Sequence, residues 1–224
     1  MDKIFTIAVL PGDGIGPDIV AQAVKVLDRA GSLYGVSFRY EYGLAGGCAI
    51  DACGDPLPAE TISLCKAADS VLLGAVGGPK WDAPGGPRPE QALLGIRKGM
   101  GVFSNLRPVR LFSQLKDASP LKESILQDGI DIMIVRELTG GIYFGKSGMS
   151  DANTAFDTES YSVAEIERVC RNAFAFAGKR RKKLCLVDKA NVLESSRLWR
   201  KVFKALTEEY PDIAVDYMYV DNAA

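Results

Sequence analysis

Residues 3–27, KIFTIAVLPGDGIGPDIVAQAVKVL, decide the fold class. Residues 3–10 are apolar and β-branched, residues 11–16 are a turn cluster, and Ile19, Val20, Ala23, Val24 and Leu27 then recur at helical spacing. The pattern is strand, tight turn, helix. A second apolar strand over residues 36–42 ends in Gly43, Pro58 opens a helix carrying Ile62, Leu64 and Cys65, and residues 70–76 form another short buried strand. Strands that alternate with helices predict an α/β fold with a largely parallel sheet and flanking helices.

Between residues 77 and 89 the composition changes to GGPKWDAPGGPRP, too rich in Gly and Pro for an element interior and long enough for a functional loop. A helix-like stretch through Leu93, Leu94, Ile96 and Arg97 follows. Residues 103–112 read as an extended crossover, because Arg107 precedes Pro108 and is biased away from helix. A boundary near Val102 divides the chain into units 1–102 and 103–224. The second unit opens with a strand over 130–135. Val163, Ile166, Val169, Cys170, Ala173, Phe174 and Ala177 then make an amphipathic helix stopped by Gly178. A strand over 183–187, a helix through Leu198, Trp199, Val202, Phe203 and Leu206, and an alternating strand over 213–220 complete the chain, whose last residues stand where a further helix should begin.

The composition narrows the chemistry. With 27 Lys+Arg against 28 Asp+Glu the net charge is -1, and the signs are interspersed, so no global field holds the 224-residue chain on nucleic acid or an anionic membrane. The run KRRKK at 179–183 reads as a solvated cationic end that complements a helix dipole. No apolar run approaches the roughly 20 residues that span a bilayer. The start MDKIFTIAVLPGDG lacks a signal peptide's features, so the cytoplasm is the expected location. Histidine is absent, which leaves proton chemistry to Lys, Tyr, Cys, Asp or Glu. Cys48, Cys53, Cys65, Cys170 and Cys185 form no C-x-x-C pair and are expected to be reduced core thiols.

Three strands of the second unit end in charges: Arg136 and Glu137, Asp188 and Lys189, and Asp221. Ligands of open α/β sheets bind beyond the carboxyl ends of strands, so three such ends in one sheet suggest a site for an acidic substrate and a metal, although strands also end in charges simply because they reach the surface. Arg97 and Arg107 add guanidiniums whose planar fork suits carboxylates. The turn at 12–17 is G-x-G-x-G followed by Pro17, which departs from the dinucleotide fingerprint and reads as a tight strand-to-helix turn.

Taken together, LPGDGIGP (10–17), LLGAVGGPKWD (72–82), RPEQALLGIRK (88–98), NLRPVR (105–110), VRELTGGIYFG (135–145), VDKANVLE (187–194) and YVDNAA (219–224) resemble the isocitrate/isopropylmalate dehydrogenase family of decarboxylating β-hydroxyacid dehydrogenases. The match runs in order along the whole chain. Glu90 followed by Leu93, Leu94 and Arg97 is similar to the isopropylmalate subtype, in which paired leucines face the substrate's isopropyl group; a helix packing those leucines into the core is the alternative. Isocitrate, homoisocitrate or tartrate as substrate remain alternatives within the family.

The resemblance implies an NAD-dependent oxidative decarboxylation of 3-isopropylmalate in leucine biosynthesis. Arg97, Arg107 and Arg136 would grip the malate carboxylates. Asp221 would help hold Mg2+ or Mn2+ together with the substrate hydroxyl. Lys189 would take the hydroxyl proton, its pKa lowered by nearby cations, and Tyr143 would return a proton to the product. Gly77, Gly78, Pro79, Lys80, Trp81 and Glu90 would border NAD, with Ile15 near the nicotinamide. It also implies a homodimer in which Lys189 and Asp221 enter the partner's active site, and a segment at 140–161 forming an interlocking arm. Family chains continue past position 224 with two further metal-binding aspartates, a histidine-containing adenosine loop and strands that complete the first domain. That leaves open a noncatalytic chain retaining only dimerisation and weak ligand binding.

Overall fold

The computed structural model describes residues 3–83, 85–126 and 129–224. The chain divides into two compact units, Met1–Val102 and Phe103–Ala224. In the first, β1 (Lys3–Gly12), α1 (Gly16–Tyr34), β2 (Val36–Tyr42), α2 (Gly47–Cys53), α3 (Ala59–Ala67), β3 (Ser70–Ala75) and α4 (Gln91–Met100) follow in order, with a 3-10 turn at Pro79–Trp81. The three strands pair in parallel in the order β2-β1-β3.

β1 is central and apolar on both faces because helices cover both. Its side chains alternate: Ala8 and Leu10 join Ala45, Cys65 of α3, and Ala92 and Ile96 of α4 in one buried cluster, while Ile7 and Val9 meet Val20 of α1 in another. α1 carries a proline in its first turn and ends at Gly35, which adopts the left-handed conformation that an L side chain resists.

The second unit contains β4 (Ser104–Arg110), β5 (Asp131–Glu137), β6 (Ser147–Asp151), β7 (Thr154–Asp157), α5 (Val163–Gly178), β8 (Lys183–Asp188), α6 (Glu194–Thr207), β9 (Ala214–Tyr219) and α7 (Val220–Ala223). β8 and β9 pair in parallel. Their connecting helix α6 and α5 enclose Ile166, Cys170, Phe174, Leu186, Phe203 and Leu206. Phe174 is fully buried and stacks on Phe203 at 5.1 Å and on Tyr210 at 4.5 Å between ring centroids. α5 starts with a reciprocal capping box between Ser162 and Glu165.

Two expectations, that the charged strand ends share one sheet and that all five thiols are buried, need correction. β4 and β5 are antiparallel, not parallel, so the three charged strand ends belong to two separate pairs rather than one sheet. Pro108 is accommodated because β4 is paired on one side only among the described strands. The arm-like segment folds as the antiparallel hairpin β6–β7, turned by Asn153 N–H donating to Asp151. Only Cys65 and Cys170 are buried, whereas Cys53 and Cys185 are exposed and Cys48 is intermediate; all five are free.

Candidate active-site surfaces

In the first unit the chemistry collects where β1 and β3 end. The buried Asp13 carboxylate accepts three backbone hydrogen bonds: Gly47 N and Gly77 N to Oδ2 at 2.7 and 2.9 Å, and Cys48 N to Oδ1 at 2.7 Å. Its own N–H donates to Ala75 O at 2.6 Å. One side chain thus ties the turn after β1, the start of α2 and the exit from β3 to one another. Ile15, two residues on, is 61% exposed, an isolated apolar side chain at the tip of this turn.

The loop beyond Gly77 is fitted closely. Gly77 has φ +105°, and a Cβ there would lie 2.6 Å from Glu90 Oε1, so the Glu90 carboxylate stands over the loop backbone. Gly47 admits the Trp81 ring, which a Cβ would meet at 2.3 Å. Asp51 of α2 accepts from Lys80 Nζ at 2.6 Å and Trp81 Nε1 at 3.2 Å, and these donors hold its carboxyl below the usual carboxylate range. Lys80 and Trp81 are therefore engaged with α2, while Glu90 stands against Gly77.

Glu90, Leu93, Leu94 and Arg97 are spaced i, i+3, i+4 and i+7, which places them on one face from the N-cap through α4. Ala92 and Ile96 point the other way, into the core. Leu93 and Leu94 are half-buried and stand outside the clusters that make the core.

In the second unit the register sets Asn105 opposite Arg136 and Arg107 opposite Ile134. Residues directly opposite share a face, and so do residues two apart, so Asn105, Arg107 and Arg136 lie on the same side. The two guanidiniums are diagonal neighbours, an arrangement that repels unless an anion lies between them. Arg107 Nε donates to Asn105 Oδ1 at 2.8 Å, and Arg136 donates to the Tyr143 hydroxyl at 3.4 Å, its guanidinium carbon 5.8 Å from the ring centre. Arg107 is exposed. Arg88, Arg168, Arg171, Arg180, Arg197 and Arg200 are ion-paired. Among the described residues Arg97, Arg107 and Arg136 have no such partner.

Glu137 and Asp188, two of the charged strand ends, are consumed internally. Glu137 accepts from Thr139 N, Thr139 Oγ1, Gly140 N and Arg168, and Asp188 accepts two bonds from Arg200 at 2.6 and 3.1 Å. Arg200 in turn lies over Tyr217 and Tyr219. Lys189 and Asp221 remain, as an ion pair with each other. The Lys189 ammonium holds the Asp221 carboxyl below its ordinary range. Lys189 thus faces a carboxylate, not the cations expected from sequence. Its backbone is fixed from behind, with N–H donating to buried Ser196 Oγ of α6 at 3.1 Å. None of the hydrogen bonds of Arg107, Arg136 and Tyr143 reaches Lys189 or Asp221 among the described residues.

The sequence reading missed Asp13, Ser196 and Arg168. Asp13 carries a usable signal: an acidic residue between two glycines at a strand end must find backbone donors if the turn is buried. Ser196 and Arg168 have none, since both lie on helices where their residue types are unremarkable.

A divalent cation does not find a complete site in these residues. Among the described residues no three His, Cys, Asp or Glu stand together as a metal set, and a single carboxylate from Asp221 cannot replace the several oxygens that Mg2+ requires. At the other candidate site, Ile15 is exposed and the Glu90 carboxylate stands close over the Gly77 backbone.

A family model described as isocitrate/isopropylmalate dehydrogenase matches residues 6–224. The chain is 55% identical to 3-isopropylmalate dehydrogenase of Clostridium acetobutylicum over 226 residues, covering 99% of this chain and 63% of that protein. It is equally 55% identical to 3-isopropylmalate dehydrogenase of Clostridium pasteurianum, with the same coverage. The solved isocitrate dehydrogenase of Methylococcus capsulatus superposes with a TM-score of 0.85 at 30% identity, over 98% of this chain and 61% of that one. The chain thus spans less than two thirds of the length of these relatives.

Proposed function

The chain belongs to the isocitrate/isopropylmalate dehydrogenase family, and from that premise we propose that it serves the NAD-dependent oxidative decarboxylation of 3-isopropylmalate to 2-oxoisocaproate and carbon dioxide, a step of leucine biosynthesis in the cytoplasm. The observation that carries the substrate assignment is the α4 face. Leu93 and Leu94 stand outside the core beside Arg97 and Glu90, an aliphatic surface next to a carboxylate binder. A branched alkyl group gains there by losing water, and a third carboxylate, as on isocitrate, would be left without a partner.

The remaining residues take roles in the same reaction. Arg107 and Arg136 hold substrate carboxylates between their diagonal guanidiniums, and Arg97 also serves as a carboxylate binder. NAD, when bound, supplies the hydride acceptor, with Ile15, Gly77, Gly78, Pro79, Lys80, Trp81 and Glu90 along its border. Lys189 takes the proton of the substrate hydroxyl as the carbon beneath it loses hydride. An ammonium has no lone pair to accept that proton, so the base is the neutral amine of Lys189, which has first given its own proton to solvent and left the pair with Asp221. Breaking the bond to the neighbouring carboxylate then releases carbon dioxide and leaves its electron pair as an enolate, to which the Tyr143 hydroxyl delivers a proton.

Asp221 offers one oxygen toward Mg2+ or Mn2+, and the described residues do not complete that site. That no hydrogen bond joins Lys189 or Asp221 to Arg107, Arg136 or Tyr143 among the described residues fits a homodimer in which the pair serves the partner's site. The β6–β7 hairpin fits the arm of such a dimer. The substrate assignment is tested with Leu93→Ala and Leu94→Ala. Each should lower kcat/KM for 3-isopropylmalate by about 10- to 200-fold, the usual worth of an aliphatic contact, and leave plain malate nearly unchanged. Equal losses on both substrates would mean that the leucines serve packing.

A further inference from the structure

We propose that Asp13 is a positioning residue that sets the register of the Gly77–Trp81 loop against the dinucleotide. The inference deepens the dehydrogenase reading and rests on it for the identity of the ligand. Three backbone N–H groups from two distant segments converge on this one carboxylate, and water does not compete because the residue is buried. The Gly77 N–H is the first of these donors and lies two residues beyond β3, so its direction fixes where the loop leaves the sheet. Gly47 N–H is the second, and Gly47 is the residue on which the Trp81 ring rests. The loop is therefore held at both ends of the span by the same side chain, directly at Gly77 and through α2 at Trp81, where Asp51 adds the Lys80 and Trp81 bonds. Gly46 leaves room for the carboxylate, since a Cβ there would lie 2.6 Å from Asp13 Oδ2. Asp13 itself touches no reacting atom in this scheme. It acts through the loop.

The division of donors between the two oxygens makes the test graded. Oδ2 serves Gly47 and Gly77, and Oδ1 serves Cys48. In Asp13→Asn the amide oxygen can occupy the Oδ2 place and keep Gly47 and Gly77, while its NH2 faces the Cys48 N–H; Asp13→Ala releases all three. Amide hydrogen exchange of the 224-residue chain should show the Cys48 amide about 10- to 100-fold faster in Asp13→Asn with Gly77 little changed, and all three amides faster in Asp13→Ala, a charge-assisted bond being worth about that factor. Protection along β8 and β9 serves as the folding control. In turnover, Asp13→Ala should raise KM for NAD about tenfold or more with kcat largely kept, and Asp13→Asn should restore most of it.

Unchanged exchange at Gly77 in a folded Asp13→Ala variant would overturn the proposal, as would faster exchange at Gly77 with an unaltered KM for NAD. If the parent chain turns over no β-hydroxyacid, the dehydrogenase reading fails and exchange at Gly77 still decides whether Asp13 holds the loop. Should Asp13→Ala fail to fold, Asp13→Asn decides instead: the Gly77 amide opening together with Cys48 would overturn the assignment of donors to the two oxygens.

Discussion

Replacing Glu137 by Gln removes one charge at an enclosed acidic side chain at the end of β5. That side chain is 2% exposed and accepts from Thr139 N at 2.9 Å with both oxygens, from Thr139 Oγ1 at 2.7 Å, from Gly140 N at 2.8 Å and from Arg168 Nη2 at 3.3 Å. Gln keeps one acceptor and turns an NH2 toward the other donors. At least one buried donor is then unpaired, at about 1–3 kcal/mol. Arg168 also loses its counter-charge, and its Nε already has no partner among the described residues. Breaking a fully buried pair costs about 3–5 kcal/mol, but Arg168 is 38% exposed and water recovers part of it. The sum is about 2–3 kcal/mol. Urea unfolding followed by Trp199 emission in a Trp81→Phe background reads the second unit, because Trp199 packs edge-on against Tyr161 at 5.4 Å. With a slope of about 2–3 kcal/mol per M, the midpoint should fall by about 1 M. A fall of less than about 0.2 M would refute the view that Glu137 organises the turn leading to Tyr143.

Lys189→Ala should abolish hydride transfer while dimerisation, read by sedimentation, persists; near-normal turnover would remove Lys189 from the proton chemistry. The Asp221 carboxyl should titrate by carbon NMR below its ordinary 3.8 and return toward it in Lys189→Ala. The sign follows from the lowered value: the pair's contribution is complete above the ordinary carboxylate range and is lost as pH falls through the depressed folded value. Burial and the nearby Glu159 and Glu137 charges push the Tyr161 hydroxyl up to about 12, so its absorbance should change only near that pH, later than an ordinary tyrosine. Among the thiols, Cys53 and Cys185 should react first with a disulfide reagent and Cys65 and Cys170 only on unfolding, with burial pushing Cys170 up to about 12.

The sequence made the regular elements of the first unit legible because β1, α1 and β3 carry strong periodicity and sharp turn residues. α2 escaped notice: Gly47–Cys53 is mostly Gly, Ala and Cys, with Ile50 its one large apolar residue and no amphipathic stripe, and its start is held by Asp13 and not by a capping side chain of its own. Strand direction was equally hidden, since β5 has the apolar run of a parallel strand and only its pairing with β4 shows it antiparallel. At the site, residue types announced the cations, but not which would be neutralised. Arg168 and Arg200 find internal carboxylates 31 and 12 residues away in sequence, whereas Arg107 and Arg136 are set side by side through a register that no local pattern encodes. Asp188 looked as available as Asp221 and is bound by Arg200.

The proposed reaction is tested most directly by NADH formation from 3-isopropylmalate, NAD and Mg2+ with protein of verified intact mass, against isocitrate, tartrate and malate. The α4 leucine face and the diagonal arginines predict turnover with 3-isopropylmalate well above that with the other three. A faster rate with any of the others, or none with 3-isopropylmalate, would contradict it.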